Sequence, residues 1–595
     1  MKKTLSSLLF APLLVVTATP FTDYIEADVD IVFQVRSLSE VRAALDAHPL
    51  TEVVQGPELQ AFFEPAFRLD GQSSDESTFK QVMEDEFGLT YDELFNLFPG
   101  QGCLAIYGLT DLMFAEMKQT PGDRSEPEVT FMLEFSGSAE RLDELMQIQF
   151  ERNAEHQKEE NPLIEHELVT EEFMGETLYF DERFDGDETV VEDGYAFVDG
   201  VFVLAAPEER LRMAVEAIKG GANEPLAEHE YYLRAQEAAG DADVNLFVNL
   251  GPLMEGFTRA IEESPAMQSL AMVAVTPASL SDALSLDSVR AAFMQGRLSA
   301  DSLVFDGGLM YTEKSGILSL MTSGSGDLPD APYVPRNATG SSVSLYDMSA
   351  MLSNLEVLLR VASPTMMPLW DIQIAKIKSE IGVDLRESIL KNFKPGMVSI
   401  VSVPEATITA QGAEPEQVIL MNANDTATLE QAFEAIKDLA PPVKSMIKVS
   451  DYEGYQIHTL ENPAAEGANG EVSAVSYTIT RDQFIFSVGR VGLLQTILSR
   501  MGSGESGLWE SDEVASLFEV IERPSAVSRS YLNLSQYAEV LFRELAVSDV
   551  FQELGLVFDF GQIPKSLGAE VRVVSEVNEA SDGLFFRSAV VHLEE

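Results

Sequence analysis

The chain repeats itself, and a repeat limits the possible folds before any motif is weighed. Asn245–Leu253 reads N-L-F-V-N-L-G-P-L, and Arg529–Tyr537 reads R-S-Y-L-N-L-S-Q-Y. The order of features around this pair recurs in both halves. Glu86-Phe87-Gly88-Leu89 opens a helical stretch closing at Pro99-Gly100, and Glu380-Ile381-Gly382-Val383 opens one closing at Pro395-Gly396. Apolar runs follow at Cys103–Tyr107 and Val398–Val403. Val129–Phe135 and Gln417–Met421 then read as strands, each followed by a helix. Tyr195–Ala206 aligns with Tyr477–Val488 without a gap, Tyr195 on Tyr477 and Phe202 on Phe484. In the first copy Asp199-Gly200 sits between two apolar runs, the signature of a tight β-hairpin. The helices after the hairpins place Leu211, Val215 and Ile218, or Leu494, Ile497 and Leu498, on one face.

The fold class that follows is α+β. A tandem duplication is expected, each repeat a mainly antiparallel meandering sheet with amphipathic helices packed on one face. A single core stops growing near about 250–300 residues. The 595-residue chain therefore divides into a first repeat at 19–322, a linker at 323–335 and a second repeat at 336–595. Gly, Ser and Pro dominate the run from Ser323 to Pro332, which is linker composition. Two repeats side by side about a pseudo-twofold axis would leave a groove between them as the default ligand site.

Residues 1–18 read as a cleaved signal peptide. Lys2 and Lys3 precede the apolar run Leu5–Val16, and Val16-Thr17-Ala18 is a small-residue cleavage site. The apolar run is short of the roughly 20 residues a membrane span needs, and no later segment qualifies. An exported location, periplasm or extracellular, is the expectation. Cys103 is the single cysteine, which excludes an intramolecular disulfide and reads as a buried small hydrophobe. The net charge of −59 repels nucleic acid and anionic surfaces, and predicts a soluble monomer suited to a saline medium.

Chemistry-bearing motifs are sparse. The densest acidic stretch runs from Asp181 to Glu188, in what reads as a loop before the Tyr195 strand. Asp181, Asp185, Asp187 and Glu188 are the candidate metal ligands there, with calcium as the possible ion, although the spacing is not that of an EF-hand. The six histidines form no H-E-x-x-H or Cys/His cluster, so zinc is unsupported. His166 and His229, each between two glutamates, read as solvated surface histidines. Gly502–Gly507 matches G-x-G-x-x-G as a string but follows a helix, so it reads as a helix-terminating loop. No catalytic residue can be singled out.

The entry segment carries a family resemblance. Ala27–Val35 is a strand, Ser37–Leu45 a helix with a Ser cap, and Gly56-Pro57-Glu58-Leu59-Gln60-Ala61-Phe62 a second helix start. This order, with the Val248-Asn249-Leu250 and Leu532-Asn533-Leu534 strands, resembles exported bacterial proteins grouped only under a domain of unknown function. The second copy keeps the strand at Thr339–Leu345 but lacks the Pro-Glu helix start. The resemblance implies an envelope or secreted location and transfers no catalytic residue.

The readings that follow lean away from an enzyme. The first is an exported, acidic, non-enzymatic binding or structural protein of the bacterial cell envelope, with an envelope protein or glycan as partner. The alternatives are a carboxylate-dependent hydrolase acting in the inter-repeat groove and a calcium-dependent adhesion or matrix protein.

Overall fold

The computed structural model describes residues 20–49, 51, 90–110, 127–137, 139–160, 164–185, 188–222, 224–263, 275–299, 302–403, 415–439, 441–466, 472–521, 525–547, 567 and 570–593. Helices combine with one large antiparallel sheet, so the chain is α+β. The described strands of the first half are β1 (Ile31–Val35), β2 (Gly102–Tyr107), β3 (Glu128–Glu134), β4 (Ile164–Phe173), β5 (Glu176–Asp185), β6 (Glu188–Val198), β7 (Val201–Ala206), β8 (Val244–Asn249), β9 (Val289–Leu298) and β10 (Ser302–Tyr311). Those of the second half are β11 (Gly340–Ser344), β12 (Phe393–Ser402), β13 (Glu416–Ala423), β14 (Ile447–Tyr452), β15 (Tyr455–Glu466), β16 (Val472–Ile479), β17 (Gln483–Gly489), β18 (Ala526–Asn533), β19 (Val571–Ala580) and β20 (Gly583–His592).

Strand pairing gives one unbranched order. From one edge to the middle it runs β4-β5-β6-β7-β3-β2-β1-β8-β9-β10. It continues β20-β19-β18-β11-β12-β13-β17-β16-β15-β14 to the other edge. The second ten strands retrace the first ten in reverse. Registers match as well: Tyr195 faces Leu204 as Tyr477 faces Phe486, and Phe131 faces Leu204 as Ile419 faces Phe486. The halves meet edge to edge through β10 and β20. They form one continuous sheet, not two bodies with a cleft between them.

The hairpins form where the chain can turn tightly. Asp199-Gly200, Met174-Gly175 and Glu453-Gly454 all have positive φ at both turn residues. That is the geometry whose twist matches antiparallel strands. Gly200 adopts φ 85° with nothing near its α-carbon's missing side chain, so conformation and not space is the constraint there.

The expectation of helices on one face is corrected: helices pack on both faces. On one face, Leu211, Ala214 and Val215 of the helix Glu208–Gly220, with Tyr232 and Ala235 of Glu230–Ala239, pack on Val32, Cys103, Met132, Val203 and Phe247. On the other, Leu142 of the helix Ala139–Glu160 packs with Phe98, Tyr195 and Phe202. The cause lies in strands such as Gly-Cys-Leu-Ala-Ile-Tyr and Val-Phe-Val-Leu-Ala-Ala, which are apolar at consecutive positions. Both faces of such a strand must leave water. The second half repeats the pattern, with Leu494, Ile497 and Leu498 in one core and Leu429 against Phe393 and Phe484 in another.

The segment 323–335, expected as a linker, contributes to the packing of the second half. Ala331, Tyr333 and Val334 are buried in the second core, and the Leu508 amide donates to the Val334 carbonyl at 3.0 Å. Ile25 does the same work in the first half, where its carbonyl accepts from the Leu226 amide at 2.8 Å. At the join each half lends a side chain to the other: Phe585 of β20 enters the first core, and Val304 of β10 enters the second.

Candidate functional site

Alternation along the central strands sends one set of side chains to a common face. Leu246 and Val248 of β8 face Met294 and Ala292 of β9. Ala292 is matched by Leu309 of β10, which lies opposite Leu584 of β20. Phe586 is matched by Val577 of β19. These residues line a groove of about 420 Å³ over the join, and Phe293, Gly308 and Phe585 complete its lining. Every residue of that lining is apolar. One end is closed where Leu250 and Met254 of the helix Leu250–Glu263 meet Val289, Tyr311 and Leu318.

The floor depends on two adjacent glycines. A methyl group at Gly307 would sit 2.3 Å from the Phe586 ring, and one at Gly308 would sit 2.7 Å from Phe585 and 2.9 Å from Phe293. Aromatic rings therefore lie across β10 on both faces of the sheet. Any other residue at 307 would push Phe586 into the groove.

Polar groups gather at the groove's closed end. The Tyr311 hydroxyl donates to the Ala580 carbonyl at 3.3 Å. Burial, followed by the nearby Glu579 and Asp582 carboxylates, pushes the Tyr311 phenol up to about 12. Lys314 pairs with Glu579 at 2.5 Å, and Arg234 pairs with Asp582 at 3.1 Å. The groove thus has an apolar floor and one end rimmed by paired charges.

Behind the floor, on the opposite face, runs a row of polar side chains. Gln34, Asn245, Gln295, Asp306, Arg587, Glu576 and Arg529 occupy matched positions on seven adjacent strands. Asp306 is 1% exposed and accepts from Arg587 Nε at 2.6 Å, from Arg587 Nη2 at 3.2 Å and from Arg297 Nη2 at 2.9 Å. Glu576, fully buried, meets Arg529 Nε at 2.7 Å. Asn245 Nδ2 donates to Gln34 Oε1 at 3.3 Å and to the Tyr232 hydroxyl at 3.2 Å. Burial pushes the Tyr232 phenol up to about 12. The buried Asp306 carboxylate is tolerated because guanidinium donors satisfy its lone pairs. Among the described residues, neither amide atom of buried Gln295 has a hydrogen-bond partner. Where the second half carries the ion pair Arg529/Glu576, the first carries the amide pair Asn245/Gln295 at the facing position.

The sequence candidates lie elsewhere. Of the stretch Asp181–Glu188, Asp181 and Asp185 belong to β5 and Glu188 to β6, and Asp185 faces Glu188. Asp181 Oδ1 lies 2.8 Å from Nδ1 of His166, whose side chain is 1% exposed. Asp187 and the side chains of Asp185 and Glu188 lie outside the described residues. Among the described residues no group of three or more His, Cys, Asp or Glu could hold a metal ion. The reading of His166 as solvated is therefore corrected. Strand alternation turns it inward because Glu165 and Glu167 turn outward. His229 is half-buried too, its ring edge-on to Phe247, and burial holds its imidazole below the usual range. Cys103 is buried on β2, and burial raises its thiol well above the ordinary value.

The groove and the polar row escaped sequence reading because their residues come from strands hundreds of positions apart. One signal was present. Asp306 and Glu576 are acids set inside apolar strands, S-L-V-F-D-G-G-L-M-Y and V-R-V-V-S-E-V. An inward acid of that kind needs a partner from another strand.

No family model and no curated protein matches the chain. Among solved structures, crystal form I of TP0453 is similar at TM-score 0.22 and 7% identity, covering 50% of this chain and 80% of that one. Crystal form III of TP0453 gives TM-score 0.23 and 5% identity, over 49% of this chain and 79% of that one. Cleaved kallistatin complexed with heparin gives TM-score 0.06 and 9% identity, over 42% and 72%. Likenesses of this size carry no argument about fold or function. Among the described residues no helix is long and apolar enough to cross a membrane.

Proposed function

We propose that the chain is an exported, acidic, non-enzymatic binding protein of the bacterial cell envelope, and that its ligand is an apolar molecule of the long-acyl-chain type. The observation that carries this is the groove over the join, about 420 Å³ with an apolar lining throughout. Ligand pockets fall in the range of roughly 300–1,000 Å³. Each methylene taken out of water there contributes about 0.8 kcal/mol. Sugar hydroxyls would find no hydrogen-bond partner on such a floor, which favours an apolar ligand over a glycan. The paired Lys314 and Glu579, with Tyr311, offer a polar head group contacts at the closed end.

The export reading rests on the signal-peptide pattern of residues 1–18, and the chain is read as a tandem duplication. Supporting the duplication are the retraced strand order and the alignment of Tyr195 with Tyr477 in equivalent registers. Matched buried residues such as Leu178 and Ile457 add to it. The hydrolase reading needs acids in the groove, and no described lining residue is one. No observation favours the calcium reading, since Asp181 is turned to His166.

The test is titration with a fluorescent long-chain fatty acid. Saturable binding is expected in the parent protein. Ala292→Trp, which fills the groove, should weaken it at least tenfold. Equal binding by parent and variant, or none by the parent, overturns the reading.

A further inference from the structure

We propose, resting on the acyl-chain reading of the groove, that its ligand is a neutral glycolipid whose sugar head lies on a row of serine hydroxyls beside the groove. Ser399 of β12, Ser342 of β11, Ser530 of β18, Ser575 of β19 and Ser588 of β20 occupy matched positions on five adjacent strands. All five are half-buried. Alternation puts them on the groove's face. Ser575 stands two residues from Val577 along β19, and Ser588 two from Phe586 along β20, and both of those neighbours line the groove. Adjacent strands lie about 4.8 Å apart, so the row presents hydroxyls over roughly 19 Å.

The corresponding row of the first half is apolar. Asn245, Gln295 and Asp306 of the polar row answer to Arg529, Glu576 and Arg587. Beside the first three stand Leu246, Met294 and Gly307; beside the second three stand Ser530, Ser575 and Ser588. Phe33 and Leu104 extend the first row as Ser342 and Ser399 extend the second. Phe33 is 42% exposed and Met294 45%. One sheet face is thus apolar around the groove and hydroxylated beside it, which fits an amphiphile lying across the boundary.

Hydrogen-bonding capacity selects the head group. Serine hydroxyls donate and accept without charge, as sugar hydroxyls do. Ser575 and Ser588 bond one another at 2.6 Å, and Ser399 accepts from Gln417 Nε2 at 3.4 Å, which leaves capacity for further bonds. Ser528, matched to the groove residue Val577, and Ser344, matched to Ser528, widen the row. The buried Ser344 hydroxyl has no hydrogen-bond partner among the described residues, and a buried polar group needs one. The row itself carries no charge, and a net charge of −59 opposes an anionic head. At the closed end Lys314 and Glu579 already neutralise each other, so an uncharged sugar is what the hydroxyls take.

The experiment compares two amphiphiles of one chain length, dodecyl maltoside and dodecyl phosphocholine, with maltose as the head alone. Phosphocholine accepts hydrogen bonds but donates none. Isothermal titration below the micelle-forming concentration reads each affinity. The maltoside is expected to bind at least tenfold more tightly than the phosphocholine, and maltose alone to give no measurable binding. Ser528→Ala with Ser530→Ala should weaken the maltoside about tenfold, the loss of two ordinary hydrogen bonds, and leave the phosphocholine affinity and the thermal melt unchanged. Equal affinity for the two amphiphiles, or undiminished maltoside binding by the double variant, overturns the sugar head and leaves the groove standing as an acyl-chain site. Binding of neither amphiphile overturns both. Maltose bound as tightly as its dodecyl glycoside would show a glycan site independent of the groove, and would also overturn the proposal.

Discussion

Asp306→Asn is the substitution that tests the join most directly. The carboxylate sits on β10 at the seam, 2% exposed in its side chain, and is held by Arg587 from β20 across the seam and by Arg297 from β9. The amide keeps the shape, removes the charge and turns an N–H₂ group toward guanidinium donors. Breaking a fully buried ion pair costs about 3–5 kcal/mol. The Arg587 side chain is 20% exposed and that of Arg297 is 36% exposed, so water compensates part of the loss. The Arg297 contact then contributes like a surface pair, less than about 1 kcal/mol. The expected cost is about 2–3 kcal/mol, read as a lower midpoint of urea unfolding at unchanged slope. Replacing both seam partners, with Asp306→Leu and Arg587→Met, removes the charges together and should return stability to within about 1 kcal/mol of the parent. The double-variant cycle therefore predicts strong coupling. A cost below about 0.5 kcal/mol for Asp306→Asn, or a double variant whose cost is the sum of the two singles, would refute the claim that this pair ties the halves together.

Three further outcomes follow from the geometry. Leu178→Ala and Ile457→Ala remove fully buried side chains at matched positions of the two halves, and each should cost about 2–5 kcal/mol in urea titration. A loss under about 1 kcal/mol at either site would contradict the packing described. Acidification should weaken the fold. The folded His229 imidazole is lowered by burial, and that of His458 by burial and then by Lys437, so both stay neutral while the unfolded chain takes up protons. Stability is then fully present above the unfolded value of about 6.5, and falls as the pH drops from there toward the folded values. His229→Gln with His458→Gln should flatten that slope in melts between pH 7 and pH 5, and an unaltered slope would assign it to other groups. Finally, Asp181→Asn should lower the melting temperature by weakening the contact to buried His166, and added calcium should leave the parent's melting temperature unchanged. A calcium-dependent rise would restore the metal reading of the Asp181–Glu188 stretch.

Much of the local structure was legible in the chain. Asp199-Gly200 between apolar runs predicted its hairpin, and the turn has the required positive φ values. Leu211, Val215, Ile218, Leu494, Ile497 and Leu498 were placed on inward helix faces by spacing alone; Leu211, Val215, Leu494 and Ile497 are fully buried, and Ile218 is partly buried against the first core. The two-sided layering was less legible, because an apolar run reads as a strand whether one or both of its faces need cover. Cys103-Leu104-Ala105-Ile106 and Val201-Phe202-Val203-Leu204 hold the answer, since consecutive apolar residues point to opposite faces. The same alternation would have turned His166 inward between its two glutamates. At 323–335 the composition marks a linker, and the burial of Ala331, Tyr333 and Val334 adds packing that composition does not show.

By itself, then, the amino-acid order determined what acts over a few residues: turns, helix faces and strand periodicity. Those follow from backbone sterics and from the periods of 3.6 and 2, which are local. Only the tertiary structure decided that β10 pairs with β20, that the apolar side chains of β8, β9, β10, β20 and β19 share one groove, and that Asp306 meets Arg587 behind it. Strand register is set by the burial of whole faces against distant partners, and a shift of one residue would exchange groove floor for polar row. No window of sequence contains that choice.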